Sequence, residues 1–395
     1  MLTAVRVVTA ALLAFSAPAA DPVREQQKWV LDALNIEQAW AVSKGENVTV
    51  AVVDSAVDGK IKELKGRVTA GPDMTSGSVT RELPPGRHGT AMAALIAGSG
   101  EDDGLVGTAP AARILSLPMV IDDEPALIPP LESEASAESP LARALRYAAN
   151  HGAQVVSMSI GSYGPLRSER EAVSYALGKG VVLVAAVGND GLTQYAQDKG
   201  TSYWSFPAGY PGVIGVAATD KQGRRATFSS DNLSVLVSAP GVQVPVAKRK
   251  KGYELSEGTS SAAALVAGVA ALIKSRYPSL PPEQVAQALA SSARGRPAAG
   301  YDDKTGFGVV DAAAALNAAE RLTGAQRSIT PGMEHFGQGE DSPVPTRPGP
   351  DPMRLWLFGG GLLVALVTFC GAIVVLNQRR SDDGPNDRHR PGITA

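Results

Sequence analysis

The sequence contains a single cysteine and only four histidines among its 395 residues. Cys370 falls within a long apolar stretch near the C-terminus, so the rest of the chain can form neither disulfides nor thiolate metal sites. The net charge is only −2, so no global basic field would attract a phosphate backbone. The one basic run, Lys248 to Gly252, is short and is interpreted as a solvated turn. These features argue against a disulfide-held domain and against nucleic acid as a partner.

The first apolar stretch of the chain is typical of an export signal. Arg6 is followed by an apolar run to Phe15, and Ala17 to Ala19 fit a small-residue cleavage pattern. We interpret residues 1–19 as a signal peptide, which predicts that the domain after it is exported.

A second apolar stretch lies near the other end of the chain. Leu355 to Leu376 form a run of 22 residues without a charge, which as a helix would span about 33 Å. Residues 354–377 are therefore predicted to cross a cell membrane once. Arginines follow at 379 and 380, so the positive-inside rule predicts that the tail, residues 378–395, is cytoplasmic and the larger domain extracytoplasmic.

Between these segments, short β-branched runs alternate with helix-like stretches, and the β-branched runs are continuously apolar. This pattern is typical of parallel strands buried on both faces, and it predicts an α/β domain over residues 20–320. Residues 321–353 are rich in proline and are predicted to form an extended linker to the membrane. Residues 121–140 carry six acidic side chains and no basic one, and they are interpreted as a surface loop. The runs predicted as strands end at Asp54, Val120, Gly161, Asn189 and Asp220.

Hydrolysis by a serine nucleophile needs a base that accepts the hydroxyl proton, and the chain has only four histidines that could serve as that base. His335 lies in the predicted linker, His389 in the tail and His151 in a helix-ending turn, so His88 is the candidate that remains. His88 opens a run of small residues, where it could also act only as a capping residue. Similarly, Ser260 stands at the start of an apolar run, and a serine there could serve only as a helix cap.

Four segments in order resemble the subtilisin-like serine proteases. They are VAVVDSAVD around Asp54, HGTAMAALIAG at His88, VVLVAAVGNDG around Asn189 and EGTSSAAALVAGVAALI around Ser260. The resemblance extends from about Trp29 to Ala319. It implies a three-layer fold in which helices flank a mostly parallel sheet, here followed by one C-terminal transmembrane helix. It also implies a serine endopeptidase that acts on protein or peptide substrates and requires no cofactor.

The resemblance assigns roles residue by residue. Ser260 would be the nucleophile, His88 the general base and acid, and Asp54 the group that orients the imidazole. Asn189 would donate its side-chain amide to the oxyanion. The substrate-binding positions would be Ser159, Ile160 and Gly161 on one side and Ala186, Val187 and Gly188 on the other, with Ser205 near the pocket floor. None of these positions is acidic, so we expect a preference for small or apolar side chains.

The sequence departs from the family pattern at several positions near these motifs. Ala56 and Ala94 stand where glycine is common, and Ser261 and Ala264 stand where methionine and proline are usual. Only about 34 residues separate the predicted mature N-terminus from Asp54, which leaves no room for the usual inhibitory prodomain. Together with the predicted membrane tether, this organisation resembles the mycosins, which are membrane-anchored subtilases associated with type VII secretion.

Two functions are therefore considered. The first is a membrane-tethered extracytoplasmic serine endopeptidase that cleaves exported or secretion-associated proteins. The second is a structural component of a type VII-like membrane complex in which proteolysis is dispensable. Structural calcium is left open, because relatives often bind it near the positions of Glu63 and of residues 101–104, although acidic surface turns are commoner than metal sites.

Overall fold

The computed structural model describes residues 22–75, 83–119, 138–325 and 352–382. The chain divides into two compact units, Met1–Gln326 and Arg327–Ala395, and each is described by itself. The predicted signal peptide lies outside the described residues, as do most of the acidic segment 121–140 and most of the predicted linker.

The elements of the first unit alternate between strands and helices. The strands are β1 (Thr49–Asp54), β2 (Val68–Ala70), β3 (Arg113–Pro118), β4 (Val155–Met158), β5 (Ser162–Tyr163), β6 (Val182–Ala186), β7 (Ser205–Phe206), β8 (Ile214–Thr219), β9 (Val235–Pro240), β10 (Val244–Ala247) and β11 (Tyr253–Ser256). The helices are α1 (Val23–Ala33), α2 (Ile36–Trp40), α3 (Arg87–Ala97), α4 (Pro140–Asn150), α5 (Arg167–Gly178), α6 (Gln194–Lys199), α7 (Thr259–Arg276), α8 (Pro282–Ser292) and α9 (Ala312–Ala325).

Seven strands form one parallel sheet in the order β2-β3-β1-β4-β6-β8-β9. After β1 the chain forms β2 at the edge of the sheet and returns to β3 beside β1, and it then crosses to β4 on the other side of β1. The strand order therefore reverses between β1 and β4, and a crevice opens beyond the carboxyl ends of strands at such a point. The subtilisin-like α/β fold expected from the sequence is confirmed.

The sheet separates two hydrophobic cores. Val50 and Val52 of β1 face the core that contains α3 and α7, whereas Ala51 and Val53 face the core that contains α4 and α5. Helix α7 is buried along nearly its whole length, which explains why its sequence is apolar on every side. This gives the three layers that the resemblance implied.

Several elements differ from the sequence prediction. Strands β2 and β9 at the sheet edges and the hairpin β10–β11 were not predicted, and Lys248 to Gly252 form the turn of that hairpin. Helix α9 continues to Ala325, so the first residues of the predicted linker are helical. Glu320, Arg321 and Leu322, which follow the alanine-rich part of α9, are good helix formers, so the helix continues past Ala319.

A buried carboxyl group joins three segments beside α5. Glu169 lies in the first turn of this helix, and its carboxylate accepts hydrogen bonds from the hydroxyls of Tyr210 at 2.8 Å and Ser139 at 3.0 Å. Burial raises the pKa of Glu169, whereas these two donors lower it. The Ser139 hydroxyl also caps α4 by accepting from the Ala142 N–H, so one carboxyl group ties α4, α5 and the segment before β8 together.

The two ends of the domain are joined by polar contacts. The Asn35 amide donates to the Asp311 carboxylate at 2.6 Å, and the Ala312 N–H donates to the Leu34 carbonyl at 2.8 Å. Gln27 of α1 is buried and both donates to and accepts from the backbone of Val106. The N-terminal helices are therefore part of the packed domain.

The second unit contributes α10 (Pro352–Asp382). Within it, Phe358–Val375 have a mean hydropathy of 2.3, and the side chains of this stretch are exposed. By length and composition, this is the one helix among the described residues that could cross a membrane. The helix extends beyond both ends of the predicted segment 354–377.

Candidate active site

Asp54 and His88 form a hydrogen-bonded pair at the carboxyl end of β1. His88 Nδ1 lies 2.8 Å from Asp54 Oδ1 and 2.9 Å from Oδ2. The aspartate side chain is 1% exposed, whereas the histidine side chain is 43% exposed. The Ser55 N–H also donates to Asp54 Oδ1 at 2.7 Å. A buried carboxylate thus binds Nδ1 of an imidazole whose side chain is partly exposed.

The residues after His88 explain how α3 is held against β1. Gly89 packs so closely on Ser55 that a side chain at position 89 would overlap the Ser55 carbonyl group. The Gly89 N–H donates to the Ser55 hydroxyl at 2.9 Å, and the Thr90 hydroxyl accepts from the Asp58 N–H at 2.9 Å. The sequence His-Gly-Thr therefore docks the first turn of α3 onto the loop that follows Asp54.

Ser260 lies in the first turn of α7, beside the segment that follows β4. Its Oγ is 3.5 Å from the Ser159 carbonyl oxygen, and the Ser159 hydroxyl donates to the Ser260 carbonyl at 3.2 Å. Ser261 is fully buried, and its hydroxyl contacts that of Ser256 at 3.1 Å. The two adjacent serines are thus distinguished by position: Ser261 packs inward, and Ser260 borders the crevice.

Asn189 follows β6 and is oriented by Thr259. Its Oδ1 accepts from both the Thr259 N–H and the Thr259 hydroxyl, each at 3.0 Å. Because Thr259 holds the carbonyl end of the amide, the donor end, Nδ2, lies beside the backbone of Gly258. Nδ2 is 3.6 Å from the position that a Cβ atom on residue 258 would occupy. Strands β1, β4 and β6 are neighbours, so Asp54, Ser159 and Asn189 reach the same edge of the sheet.

The predicted substrate-binding residues also meet at this edge. Gly161 lies directly against the Ser205 hydroxyl, and the Cβ position of Gly188 is 3.6 Å from Ser205 Cβ. Strand β5 pairs with β7 and fixes this arrangement. The side chains of Val187 and Ile160 instead pack against the hydrophobic core, so at these two positions the backbone is the part that can border a pocket.

Three residues of this region were not predicted from the sequence. Thr259 belongs to the motif around Ser260, and its position beside the candidate nucleophile is the signal that identifies it. Asp190 comes directly after Asn189, and its carboxylate lies 3.1 Å from the Cβ position of Gly188. Tyr163 follows the segment 159–161 and pairs with Ser205. Asp190 places an acidic group beside a pocket whose predicted positions contain none.

The acidic turn at 101–104 is held by basic side chains. Lys62 Nζ lies 3.3 Å from the Asp102 carbonyl oxygen and 3.5 Å from that of Glu101. Arg24 donates to the Gly100 carbonyl at 3.0 Å, and the Glu63 carboxylate accepts from the Tyr253 hydroxyl at 2.6 Å. Calcium takes six to eight oxygen ligands. The carbonyl oxygens of Gly100, Glu101 and Asp102 are poor candidates for calcium ligands, because they already contact the guanidinium group of Arg24 or the ammonium group of Lys62.

An aspartate–histidine pair, a serine at a helix start and an oriented asparagine amide at one sheet edge define a hydrolase of the serine-protease type. Comparison with known proteins agrees with this class. The model of the subtilase family, Peptidase S8, matches residues 45–308. The chain therefore belongs to the subtilase family of serine endopeptidases.

Individual relatives differ in how much of their length the chain covers. Fervidolysin of Fervidobacterium pennivorans is 36% identical over 73% of this chain but over only 43% of its own length. Mycosin-1 of Mycobacterium tuberculosis is 34% identical, covering 73% of this chain and 72% of the relative. A solved structure of MycP1, described as an essential component of the type VII (ESX-1) secretion system, has a TM-score of 0.60 at 31% identity, covering 73% of this chain and 88% of that one. The chain thus resembles the mycosins.

Proposed function

We propose that this protein is a membrane-anchored extracytoplasmic serine endopeptidase that cleaves exported or secretion-associated proteins. The observation that carries the proposal is the buried Asp54 carboxylate bonded to His88 Nδ1, at the sheet edge that also holds Ser260 and Asn189. In this mechanism His88 takes the Ser260 proton as the hydroxyl oxygen attacks the scissile carbonyl carbon. Asp54 holds the tautomer that has its proton on Nδ1 and stabilises the imidazolium that forms.

The negative charge that develops on the substrate oxygen would be met by two donors. One is Asn189 Nδ2, which is presented because Thr259 binds the other end of the amide. The second is the Ser260 N–H in the first turn of α7, where the helix dipole also favours an anion. His88 would then protonate the leaving amine, and water would hydrolyse the acyl-enzyme in a second cycle of the same proton transfers.

Helix α10 supports the assignment to the membrane. Its apolar stretch Phe358–Val375 is long enough to span a bilayer, and arginines 379 and 380 follow it, so we propose one pass with the C-terminus in the cytoplasm. The signal-peptide pattern in residues 1–19 agrees with a peptidase domain outside the cytoplasm. The mycosin resemblance favours a type VII secretion context.

We also propose that the turn at 101–104 needs no calcium. Lys62 contacts the carbonyl oxygens of Glu101 and Asp102 in this turn, and Arg24 donates to that of the preceding Gly100. Among the residues that the structure describes, no group of three or more His, Cys, Asp or Glu side chains is placed to hold a metal ion. The basic side chains supply the positive charge that an ion would otherwise bring to this turn.

The central test is covalent labelling of the full-length protein by a fluorophosphonate, with hydrolysis of a fluorogenic peptide measured in parallel. The Ser260→Ala variant should lose both, whereas the adjacent Ser261→Ala serves as the matched control and should keep both. Retained labelling of the Ser260→Ala protein would show that another residue is the nucleophile. A His88→Ala variant should lose hydrolysis by at least about 10³-fold, because the base is removed.

A structural role in a secretion complex is the second candidate, and it is favoured by the description of the MycP1 relative as an essential component of its secretion system. Complementation distinguishes the two functions. Secretion fully restored by the Ser260→Ala protein would support the structural role, and loss of secretion with that variant would support proteolysis as the essential activity.

A further inference from the structure

An open groove lies beside the candidate active site, between the turn of the hairpin β10–β11 and the segment that leads into α3. Its volume is about 590 Å³, and Ile61, Pro84 and Pro85 form its apolar walls. The two prolines lie just before Arg87 and His88 in the chain. None of the predicted substrate-binding positions is among the described residues that line this groove.

The hairpin that forms the other side of the groove is anchored at its base. The Tyr253 hydroxyl donates to the buried Glu63 carboxylate at 2.6 Å, and the Ser256 and Ser261 hydroxyls are 3.1 Å apart. Strand β11 ends at Ser256, and the chain then continues into the first turn of α7, which carries Ser260. The hairpin is thus held against the helix that carries the candidate nucleophile.

Further contacts hold the hairpin turn against the segment that leads into α3. The Arg249 guanidinium group donates to the Pro85 carbonyl oxygen. One carboxylate oxygen of Glu254 lies 3.7 Å from Arg87 Nη2, and the other lies 3.5 Å from Lys248 Nζ. Glu254 therefore offsets the charge of two cations at the rim, and the cations that line the groove itself are other residues.

The groove is positively charged. Its lining includes three basic side chains, Lys60, Arg249 and Lys250, and one acidic side chain, Asp58. Lys60 and Lys250 are exposed, and none of the described residues forms an ion pair with either of them. Lys251 follows in the same turn. An excess of cationic side chains attracts an anionic partner.

The position and the walls of the groove favour a polypeptide as that partner. His88 lies next to the groove in the chain, so a substrate that extends well beyond its cleaved bond can reach the groove in the same complex. Aspartate or glutamate side chains would supply carboxylates for Lys60 and Lys250, while Ile61 and the two prolines would contact the rest of an extended chain. Proline has no N–H donor, so recognition at this wall rests on the cationic side chains rather than on backbone pairing.

We propose that this basic groove binds an acidic segment of the protein substrate, at a distance from the cleaved bond, and so directs the peptidase to substrates that carry such a segment. This inference rests on the proposed peptidase function and names a chemical feature of its substrates. It makes the basic run Lys248 to Gly252 part of a recognition surface.

The test uses peptides with one common cleavable core, extended at one end or the other by four glutamates or by four glutamines. For the full-length wild-type protein, one of the two glutamate peptides should have a KM about 4- to 25-fold lower than its glutamine counterpart, because each of two exposed ion pairs contributes about two- to fivefold. The value of kcat should stay unchanged, since the contact is equal in the bound substrate and in the transition state. The difference should shrink at high salt.

A pair of substitutions shows whether the groove causes this preference. The Lys60→Gln/Lys250→Gln variant removes both exposed cations, keeps Arg249 in place and should abolish the difference between glutamate and glutamine peptides. Lys179→Gln is the matched control and should preserve the difference, because Lys179 is exposed but follows α5 at the amino ends of the strands, away from the candidate site. Lys60→Glu/Lys250→Glu should instead favour a peptide extended by four lysines. Equal KM values for glutamate and glutamine peptides in the wild type, or a preference that persists in Lys60→Gln/Lys250→Gln, overturns the proposal.

An anionic lipid surface is the competing partner for a basic groove. In the full-length protein reconstituted into nanodiscs, the glutamate peptide should protect Lys60 and Lys250 from chemical acetylation. Protection by phosphatidylglycerol in the nanodisc, without protection by the peptide, overturns the proposal in favour of a lipid surface.

Peptide binding separates this inference from the proposed function. Absence of both cleavage and fluorophosphonate labelling in the wild type would refute the peptidase assignment alone. In that case, calorimetric binding of the glutamate and glutamine peptides to the full-length Ser260→Ala protein and to its Lys60→Gln/Lys250→Gln derivative still decides. Tighter binding of a glutamate peptide that is lost in the derivative supports the basic groove, and equal binding of both peptides refutes it.

Discussion

Thr259 offers a sharp test of how Asn189, the proposed oxyanion donor, is positioned. Its N–H and its hydroxyl both donate to Asn189 Oδ1 at 3.0 Å, and the residue is 1% exposed. Thr259→Val keeps the shape and the N–H but removes the hydroxyl. The amide then loses one of its two restraints, so Nδ2 is presented to the oxyanion for a smaller fraction of the time.

The magnitude follows from the bond that is lost. A neutral hydrogen bond contributes about 1 kcal/mol, which corresponds to roughly a fivefold decrease in kcat. Loss of the donor itself, in Asn189→Ala, should cost about 10²–10³ in kcat. Because the negative charge is absent from the bound substrate and develops only in the transition state and the tetrahedral intermediate, KM should change little in either variant.

A double-mutant cycle with peptide hydrolysis as the assay tests this reasoning. In the Asn189→Ala background, Thr259→Val should lower kcat by less than about twofold, since no amide remains to be oriented. Thr259→Ser keeps the hydroxyl and should stay within about twofold of the wild type. An equal loss from Thr259→Val in both backgrounds would show that Thr259 acts independently of Asn189.

Three further predictions concern stability and location. The raised pKa of Glu169 means that its stabilising contribution is present below the unfolded pKa near 4.3 and is lost as pH rises through the folded pKa. Glu169→Gln should therefore raise the Tm by about 1–3 °C at pH 8 and by less at pH 4, as measured by calorimetry; the opposite order would contradict the burial argument. The Tm of the wild type should shift by less than about 2 °C on addition of EDTA, whereas Lys62→Met should lower it; a large EDTA effect would show that the turn at 101–104 binds a metal ion. Deletion of residues 352–395 should release the domain from the membrane fraction, and continued sedimentation with membranes would contradict the assignment of α10.

The central sheet could be predicted because its strands are buried on both faces and therefore have continuous apolar sequences. The edge strand β2 was missed, because a three-residue strand with exposed side chains has no such signal. The hairpin β10–β11 was missed because its pairing depends on contacts between segments rather than on a local pattern. The end of α9 was placed too early because helix-forming residues continue into the segment interpreted as a linker.

The candidate site was predictable only as far as its motifs extend. Asp54, His88, Asn189 and Ser260 were identified by segments that resemble a family, and the structure brings their surroundings together at one sheet edge. Tyr163 belongs to none of these segments, and its pairing with Ser205 between β5 and β7 is a tertiary contact that no local sequence pattern shows.

The contacts between the two ends of the domain have a mechanical consequence. Asn35 donates a hydrogen bond to Asp311, and the Leu34 carbonyl accepts one from the N–H of Ala312 at the first position of α9. Hydrogen bonds therefore join the N-terminal and C-terminal ends of the domain. Among the described residues, helix α9 is the last element of the first unit. In the membrane-anchored protein that we propose, a pull on the C-terminal end of α9 would therefore be resisted by the hydrogen bonds to Leu34 and Asn35 before it reached the strands that carry the site.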